Sequence, residues 1–476
     1  MTTSIRVLDE NQVETVHSAS LGILEKVGMR LRSERHLEYL EKRGFEVDKN
    51  NWIVRMPETL VTDALKQAPK SFSLCSRDGE NDLQMGQRNC YYSTSGCASD
   101  VIDVESGMRR PARLLDVASC AKIVDAIRGL GMFFSPVSAH DAPVGVGPIL
   151  EYRTTVENCT KHVHMVDLSS AYEAEYVIKI AAEVVGGVEK LVKEPIVSDM
   201  ICSVSPLTID VSALTTVLTF VREGLPVSST SMPLAGATAP MTPAGTLALA
   251  NAEALGCIAV LQAFRPGTPI IHNVLPSIID PRTGTYRAAA PEAIWMRIAG
   301  AQIADHYRIP CMVGGVNSAS KTPNIQDGYE KAMTAVFSRL AGADIFTGFG
   351  LLDSATALAM DQLIVDSEIC EHLAKALNRR PVDDESLGLD VIAKVGPEGH
   401  YLAEKHTLKH ANEVWIPRLP IVDKTDSRDP EALVRNARKK VREILNTHHP
   451  TPLDASVLNR IDEIVKEAQK RHQERA

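Results

Sequence analysis

One pattern recurs from Tyr91 to Cys370: an apolar or small-residue run stops at polar residues or glycine, and helical spacing then returns. The plainest unit is Pro310 to Glu330. There Cys311, Met312 and Val313 run into Gly314-Gly315, a polar loop carries Asn317 through Asp327, and a helical pattern resumes at Tyr329. A buried parallel strand hands over to a loop and a helix in this way. Strand ends of this kind fall near Ser95-Gly96, Ser138 to Asp141, Val166-Asp167, Cys202 to Ser205, Ser228 to Ser231, His272-Asn273, Gly314-Gly315 and Thr347-Gly348. Pro226, Pro269 and Pro310 each stand just before a strand, where a missing N–H is tolerated. Eight units predict an α/β fold, a (β/α)8 TIM barrel, over an open doubly wound sheet, and no GxGxxG turn follows the first strand. Val101 to Gly107 reads as a hairpin inserted into the first unit.

The expected division is an N-terminal helical cap over residues 1–85, the barrel over 86–370 and a C-terminal helical extension over 371–476. In the cap, Val13, Val16, Leu21, Leu24 and Val27 keep helical spacing, His36 to Arg43 repeats the pattern before Gly44, a short helix covers Pro57 to Gln67, and Phe72 to Cys75 alternates like a strand. Between strands, helices are expected at Asp116–Leu130, Ala171–Val185, Val211–Glu223, Thr246–Phe264, Pro291–His306 and Tyr329–Ala341. Past Cys370 the helical stretches include 384–395, 429–445 and 453–471. The last two are amphipathic and charged, as suits helices outside the barrel or in a subunit contact.

A net charge of -9 and a pI near 5.9 argue against a nucleic-acid or anionic-membrane partner, because either would want a basic face. Small-molecule chemistry leads. MTTSIRVLDENQ lacks the apolar core of a signal peptide, and the most apolar stretch, Leu247 to Phe264, is interrupted by Asn251, Glu253 and Gln262. A cytoplasmic chain is expected. The nine cysteines form no CxxC pair and read as reduced core residues.

An active site in such a barrel lies at the C-terminal ends of the strands. Those ends gather Tyr91, Tyr92, His140, Asp141, His162, His164, Asp167, Ser203, Ser205, Thr230, His272, Asn273, Asn317, Ser318, Gln326, Asp327, Phe346 and Phe349. His162 and His164 share a strand face, with Asp141 or His272 to complete a metal set, yet no HExxH or related spacing closes one, and no metal is expected. There is no GxSxG elbow and no cysteine beside a basic motif, so nucleophilic catalysis has no candidate. Gly314-Gly315 and Gly348 to Gly350 stand where barrels grip phosphate, but the polar loop from Asn317 to Asn324 parts the first pair from its helix. Asp141, Asp167 and Asp327 are available for acid–base work, and nothing marks them.

Several longer stretches carry a resemblance: MPETLVTDALKQAP (56–69), DVESGMRRPARLLDVASCAKIVDAI (103–127), CTKHVHMVD (159–167), IQDGYEKA (325–332), LAGADIFTGFG (340–350), DQLIVDSEI (361–369) and VGPEGHYLAEKHTLKH with its W-x-P (395–417). In this order they resemble the trimethylamine methyltransferase family, in the branch that lacks pyrrolysine. The resemblance covers nearly the whole chain. It implies a TIM barrel that moves a methyl group from a quaternary amine, such as glycine betaine or a related betaine, to the Co(I) of a corrinoid (cobalamin) on a partner protein. It also implies a homo-oligomer in cytoplasmic one-carbon metabolism.

A quaternary ammonium methyl already has a neutral tertiary amine as leaving group, so the resemblance implies positioning in a dry pocket and no catalytic side chain. A trimethylammonium head suits aromatic faces, for which Tyr91, Tyr92, Phe346 and Phe349 are candidates. The carboxylate end wants donors, for which His140, His162, His164, His272, Asn273, Asn317 and Gln326 are candidates. In some relatives the turn after the eighth strand reads closer to Ile-His-Gly, where this chain has Phe346-Thr347-Gly348. Carnitine-like, proline betaine-like and other quaternary amines therefore stay open. Two rival readings are a metal- or phosphate-dependent lyase or hydrolase on the same barrel, and a non-catalytic quaternary-amine binder.

Overall fold

The computed structural model describes residues 4–419 and 431–475. Eight parallel strands close into a barrel: β1 (Tyr91–Thr94), β2 (Leu130–Phe134), β3 (His162–His164), β4 (Val197–Cys202), β5 (Val227–Ser231), β6 (Ile270–Val274), β7 (Cys311–Gly314) and β8 (Ile345–Phe349), each paired with the next and β8 with β1. All eight follow the units expected from sequence. Every residue of β5, β6 and β8 is buried, because helices cover the outside and side chains fill the inside.

A helix follows each strand: α2 (Leu114–Ala126), α3 (Gly147–Asn158), α4 (Ala171–Val185), α5 (Val211–Glu223), α6 (Pro243–Phe264), α7 (Pro291–Tyr307), α8 (Ile325–Ala341) and α9 (Met360–Leu377). Helix α3 was not anticipated, since its buried face includes Glu151 and Thr155 among Ile149, Tyr152 and Val156, which dilutes the apolar period. Helix α6 is long and apolar enough to cross a membrane by length and composition, and it lies buried within the fold. Helix α1 (Glu10–Lys26) covers it, and the Ser20 hydroxyl donates to the Ala248 carbonyl at 3.0 Å.

The N-terminal segment does more than cap. Its hairpin, Phe72–Leu74 with Leu83–Met85, sends Leu74, Leu83 and Met85 into a cluster with Met132, Phe134, Ile271, Met312 and Ile345, which plugs the barrel floor. The hairpin expected in the first unit is present as Asp100–Ile102 with Arg109–Pro111, and it pairs with Ala357–Ala359 after β8. Helices α10 (Ala432–Thr447) and α11 (Ala455–Arg475) pack on the outer ring, α10 against α9 and α2, and α11 against α4 and α3. The expected start of α10 at Asp429 lies outside the described residues. One apolar cluster runs from Leu8 through the barrel to Ala468.

Candidate functional site

Alternation along a strand decides which side chains enter the barrel. Ile271 and Met312 belong to the interior cluster, so Asn273 and Gly314, each two residues on, face inward as well. On β3 both His162 and His164 reach Ser198 of β4 and are fully buried. Burial pulls the His162 imidazole down to about 4 and His164 to about 3, so both are neutral.

Neutrality fixes the direction of a hydrogen-bond chain. His162 Nδ1 lies 3.0 Å from the Pro195 carbonyl and 3.3 Å from that of Cys75, so Nδ1 holds the hydrogen. Nε2 must accept, and it does so from the Ser198 hydroxyl at 2.7 Å. Ser198 has spent its proton and accepts from His164 Nδ1 at 2.7 Å. His164 Nε2 accepts from Ser228 at 3.1 Å, Ser228 accepts from Thr230 at 3.4 Å, and Thr230 accepts from the Asn273 amide at 3.0 Å. Asn273 Oδ1 ends the chain, buried and without a partner. Val166, Met200 and Cys202, on the inward faces of β3 and β4, are part-exposed, and Met200 and Cys202 are in register with Ser228 and Thr230, so the barrel opens at the upper end of this chain.

The other anticipated residues scatter. Tyr91 faces inward at the floor, where its hydroxyl accepts from Gln84 N and Asn89 Nδ2, at the end of the barrel away from the mouth. Tyr92, Phe346 and Phe349 form an outer-wall cluster beneath α9, with Tyr92 4.6 Å from Phe346 and 5.7 Å from Phe349 between ring centroids and its hydroxyl donating to Cys370 O. That placement corrects the aromatic cage drawn from these four residues. Successive residues on a strand face opposite ways, and Phe134 is an aromatic that does face inward, its ring 4.5 Å from that of His164 and nearly perpendicular to it. His272 also points outward, to Asn251 of α6 at 3.1 Å. His140 is exposed on the loop after β2, and Gln326 donates to Glu330 on α8 at 3.0 Å. Asn317 follows β7 beside Gly314.

Several strand-end polar residues serve architecture. Glu253 of α6, which sequence reading passed over as a break in an apolar run, accepts from Ser203, Ser205, Ser231 and the Leu207 N–H at 2.6–2.8 Å. Asp141 accepts from Leu114 N at the start of α2, and Asp327 lies 4.0 Å from Lys331. Asp167 meets Glu151 of α3. Burial and the adjacent Asp167 carboxylate push Glu151 up to about 10, and Glu151 Oε2 and Asp167 Oδ1 are both buried without a hydrogen-bond partner. Among the described residues, no three His, Cys, Asp or Glu side chains gather in a metal-binding group.

The residue most clearly missed is Arg297, a lone cation in the apolar run Ile294 to Ala304 of α7. It is 3% exposed, and Nε and Nη1 have no partner. A separate cleft of about 710 Å³, lined by Met241, Asp280, Arg287, Ile294, Tyr329 and Met333 among others, lies between the β6–α7 loop and α8, outside the barrel interior.

Comparison with known proteins covers the whole chain. The family described as Trimethylamine methyltransferase (MTTB) matches residues 1–474. The trimethylamine methyltransferase MttB of Desulfitobacterium hafniense (strain DSM 10664 / DCB-2) is 29% identical over 465 residues, 97% of this chain and 93% of its own length. The glycine betaine methyltransferase of Desulfitobacterium hafniense (strain Y51) is 31% identical over 456 residues, 95% of this chain and 94% of its own. Two relatives with different substrates are thus about equally similar. The crystal structure of the Methanosarcina barkeri monomethylamine methyltransferase (MtmB) superposes with a TM-score of 0.52 at 14% identity, covering 93% of this chain and 89% of that one, a likeness of fold.

Proposed function

The chain belongs to the trimethylamine methyltransferase family, and on that premise we propose that it moves a methyl group from a quaternary amine to the Co(I) corrinoid of a partner protein. The observation that carries the choice of a quaternary amine is the proton-locked interior. From Thr230 to His162 each hydroxyl and imidazole hydrogen on the inward chain is committed, and both histidines stay neutral far below physiological pH. None of these groups is free to protonate a departing amine. A quaternary substrate needs no such proton: the N–CH3 bond breaks as the Co–CH3 bond forms, the nitrogen keeps the electron pair, and a neutral tertiary amine leaves.

The protein's own part is then to hold the reacting carbon in line and keep water away. The opening at Val166, Met200 and Cys202 is where the corrinoid, a second substrate, would meet the methyl group. In this reading the amine end sits below that opening, near the Phe134 ring. Nine free cysteines, of which Cys97 is exposed, suit a reducing cytoplasmic setting compatible with Co(I). We extend the proposal to a homo-oligomer on family grounds alone.

The test follows the visible spectrum of Co(I) corrinoid with the protein and a panel of quaternary amines plus trimethylamine, between pH 6 and pH 8.5. Conversion to methyl-Co(III) with a quaternary amine, at a rate flat across that range, is expected because the inward histidines titrate near pH 3–4. Conversion with trimethylamine alone would overturn the reading.

A further inference from the structure

We propose that the top of β7 is an anion site, formed by Arg297 and Asn317 around Gly314, and that it takes a carboxylate carried by the substrate. The word substrate rests on the methyl-transfer reading; the anion site stands on its own geometry. Arg297 donates from Nη2 to the Ala288 carbonyl at 2.9 Å, the Tyr286 hydroxyl stands close by, and Nε and Nη1 are left without a partner. Among the described residues no carboxylate pairs with it, and burial lowers its pKa while the Tyr286 phenol works against the fall. A guanidinium in that position is uncompensated, and buried charges are ordinarily paired.

A second orphan donor stands beside it. Asn317 Nδ2 is buried without a partner, while the Asn317 main chain is fixed by its N–H donating to Thr334 Oγ1 at 3.1 Å. The two groups converge on the end of β7. A methyl built on Gly314 would be crowded by both, at 3.2 Å from Arg297 Nε and 3.3 Å from Asn317 Nδ2, and Gly314 faces the barrel interior. Glycine there lets both donors stand side by side against the strand end. Guanidinium and amide N–H groups converging from two sides suit the oxygens of a carboxylate.

Phosphate fits less well. The nearest helix start, at Ile325, is capped by Asn324 accepting from Asp327 N at 3.0 Å, and it carries the Asp327 carboxyl in its first turn. That end is closed to a dianion.

Calorimetry on the full chain tests the site with matched cations: glycine betaine and 4-trimethylammoniobutyrate, which carry a carboxylate, against choline and tetramethylammonium, which do not, and with inorganic phosphate. A carboxylate-bearing amine should bind about 30- to 100-fold tighter than the others, the usual range for a charge-assisted contact. Arg297→Met should erase that preference, and Arg297→Lys should restore part of it. The unliganded Arg297→Met protein should melt close to wild type, because relief of a buried cation with no carboxylate partner offsets the lost bond to Ala288; a purely structural arginine would lower it by several degrees.

Equal binding of choline, tighter binding of phosphate, or no binding of any carboxylate-bearing amine overturns the site. Selective carboxylate binding with no methyl-Co(III) formed supports the site and sinks the methyl-transfer reading. Methyl transfer from tetramethylammonium as fast as from a betaine does the reverse.

Discussion

Asp327 illustrates how burial sets the behaviour of a single group. It was gathered with the mouth carboxylates, yet it sits 3% exposed in the first turn of α8, and burial raises its pKa from 3.8 to about 7, with Lys331 working against the rise. Between those two pH values the folded protein holds a proton that the unfolded chain has released. The stability this group contributes is therefore full below about pH 4 and lost as pH climbs to about 7. Asp327→Asn removes the titration. The variant should match or exceed wild type at pH 8, by about 2–4 kcal/mol at most, and its melting temperature should vary less between pH 5 and pH 7.5. A variant that melts well below wild type at pH 8, with the same pH slope, would count against this account. The carboxylic acid type was legible in the sequence; whether it meets water was not, because that depends on α9 arriving across it. The same holds for His162, His164 and Asn273, whose inward direction follows from strand parity, while the chain that joins them needs Ser198, Ser228 and Thr230 from two further strands.

At the scale of elements, α8 and α9 are tied by a buried ion pair. Lys331 Nζ lies 2.7 Å from Asp366 Oδ2, both fully buried, and Asp366 also accepts from Gly350 N at 2.8 Å and Gln362 Nε2 at 2.8 Å. One carboxylate thus pins the turn after β8 to two helices. Gly348 in the same strand end has φ +114, and a Cβ there would meet the Val316 carbonyl at 2.8 Å, so the strand can bend over the β7 loop only with glycine. Lys331→Met leaves Asp366 charged and unpaired in a dry setting, which costs about 3–5 kcal/mol. Denaturant unfolding would read it, and Lys331→Met with Asp366→Asn should recover part of the loss. A single-variant cost under about 1 kcal/mol, the range of an exposed pair, would sink the idea. Strands and most helices could be read from the chain because apolar runs and stops are local. Pairings such as Lys331 with Asp366, 35 residues apart, leave no local trace. Tyr92, Phe346 and Phe349 were misplaced for a related reason: the eye finds aromatics at a strand end, while parity and the bend at Gly348 turn them outward.

Across the whole molecule, the chain ends hold the ring of helices. Helix α11 lies along α4 and α3, with Ile461, Val465 and Ala468 buried, Tyr176 donating to Glu467 at 2.9 Å and Arg153 meeting Asp462. Its last turns reach the loop after β2, where His472 packs against Gly145, a residue at φ +79 with no room for a side chain. The exposed ion pairs add little. The apolar burial decides: Ile461 and Val465 contribute about 1.5–3 kcal/mol each, before counting the surface of α4 and α3 that would be bared. Removing residues 448–476 should therefore cost on the order of 5 kcal/mol or more and lower the melting temperature by several degrees. The effect should also travel, because α3 bears Glu151, whose carboxyl accepts from Ala139 N and meets Asp167 at the barrel rim. Hydrogen exchange in the loop from Ser138 to Val146 should rise in the truncated chain while the floor around Leu74, Met312 and Ile345, far from α11, stays protected. Equal exchange in both regions would mean that the barrel melts as one unit and that the C-terminal helix braces all of it, not the rim beside β2 alone.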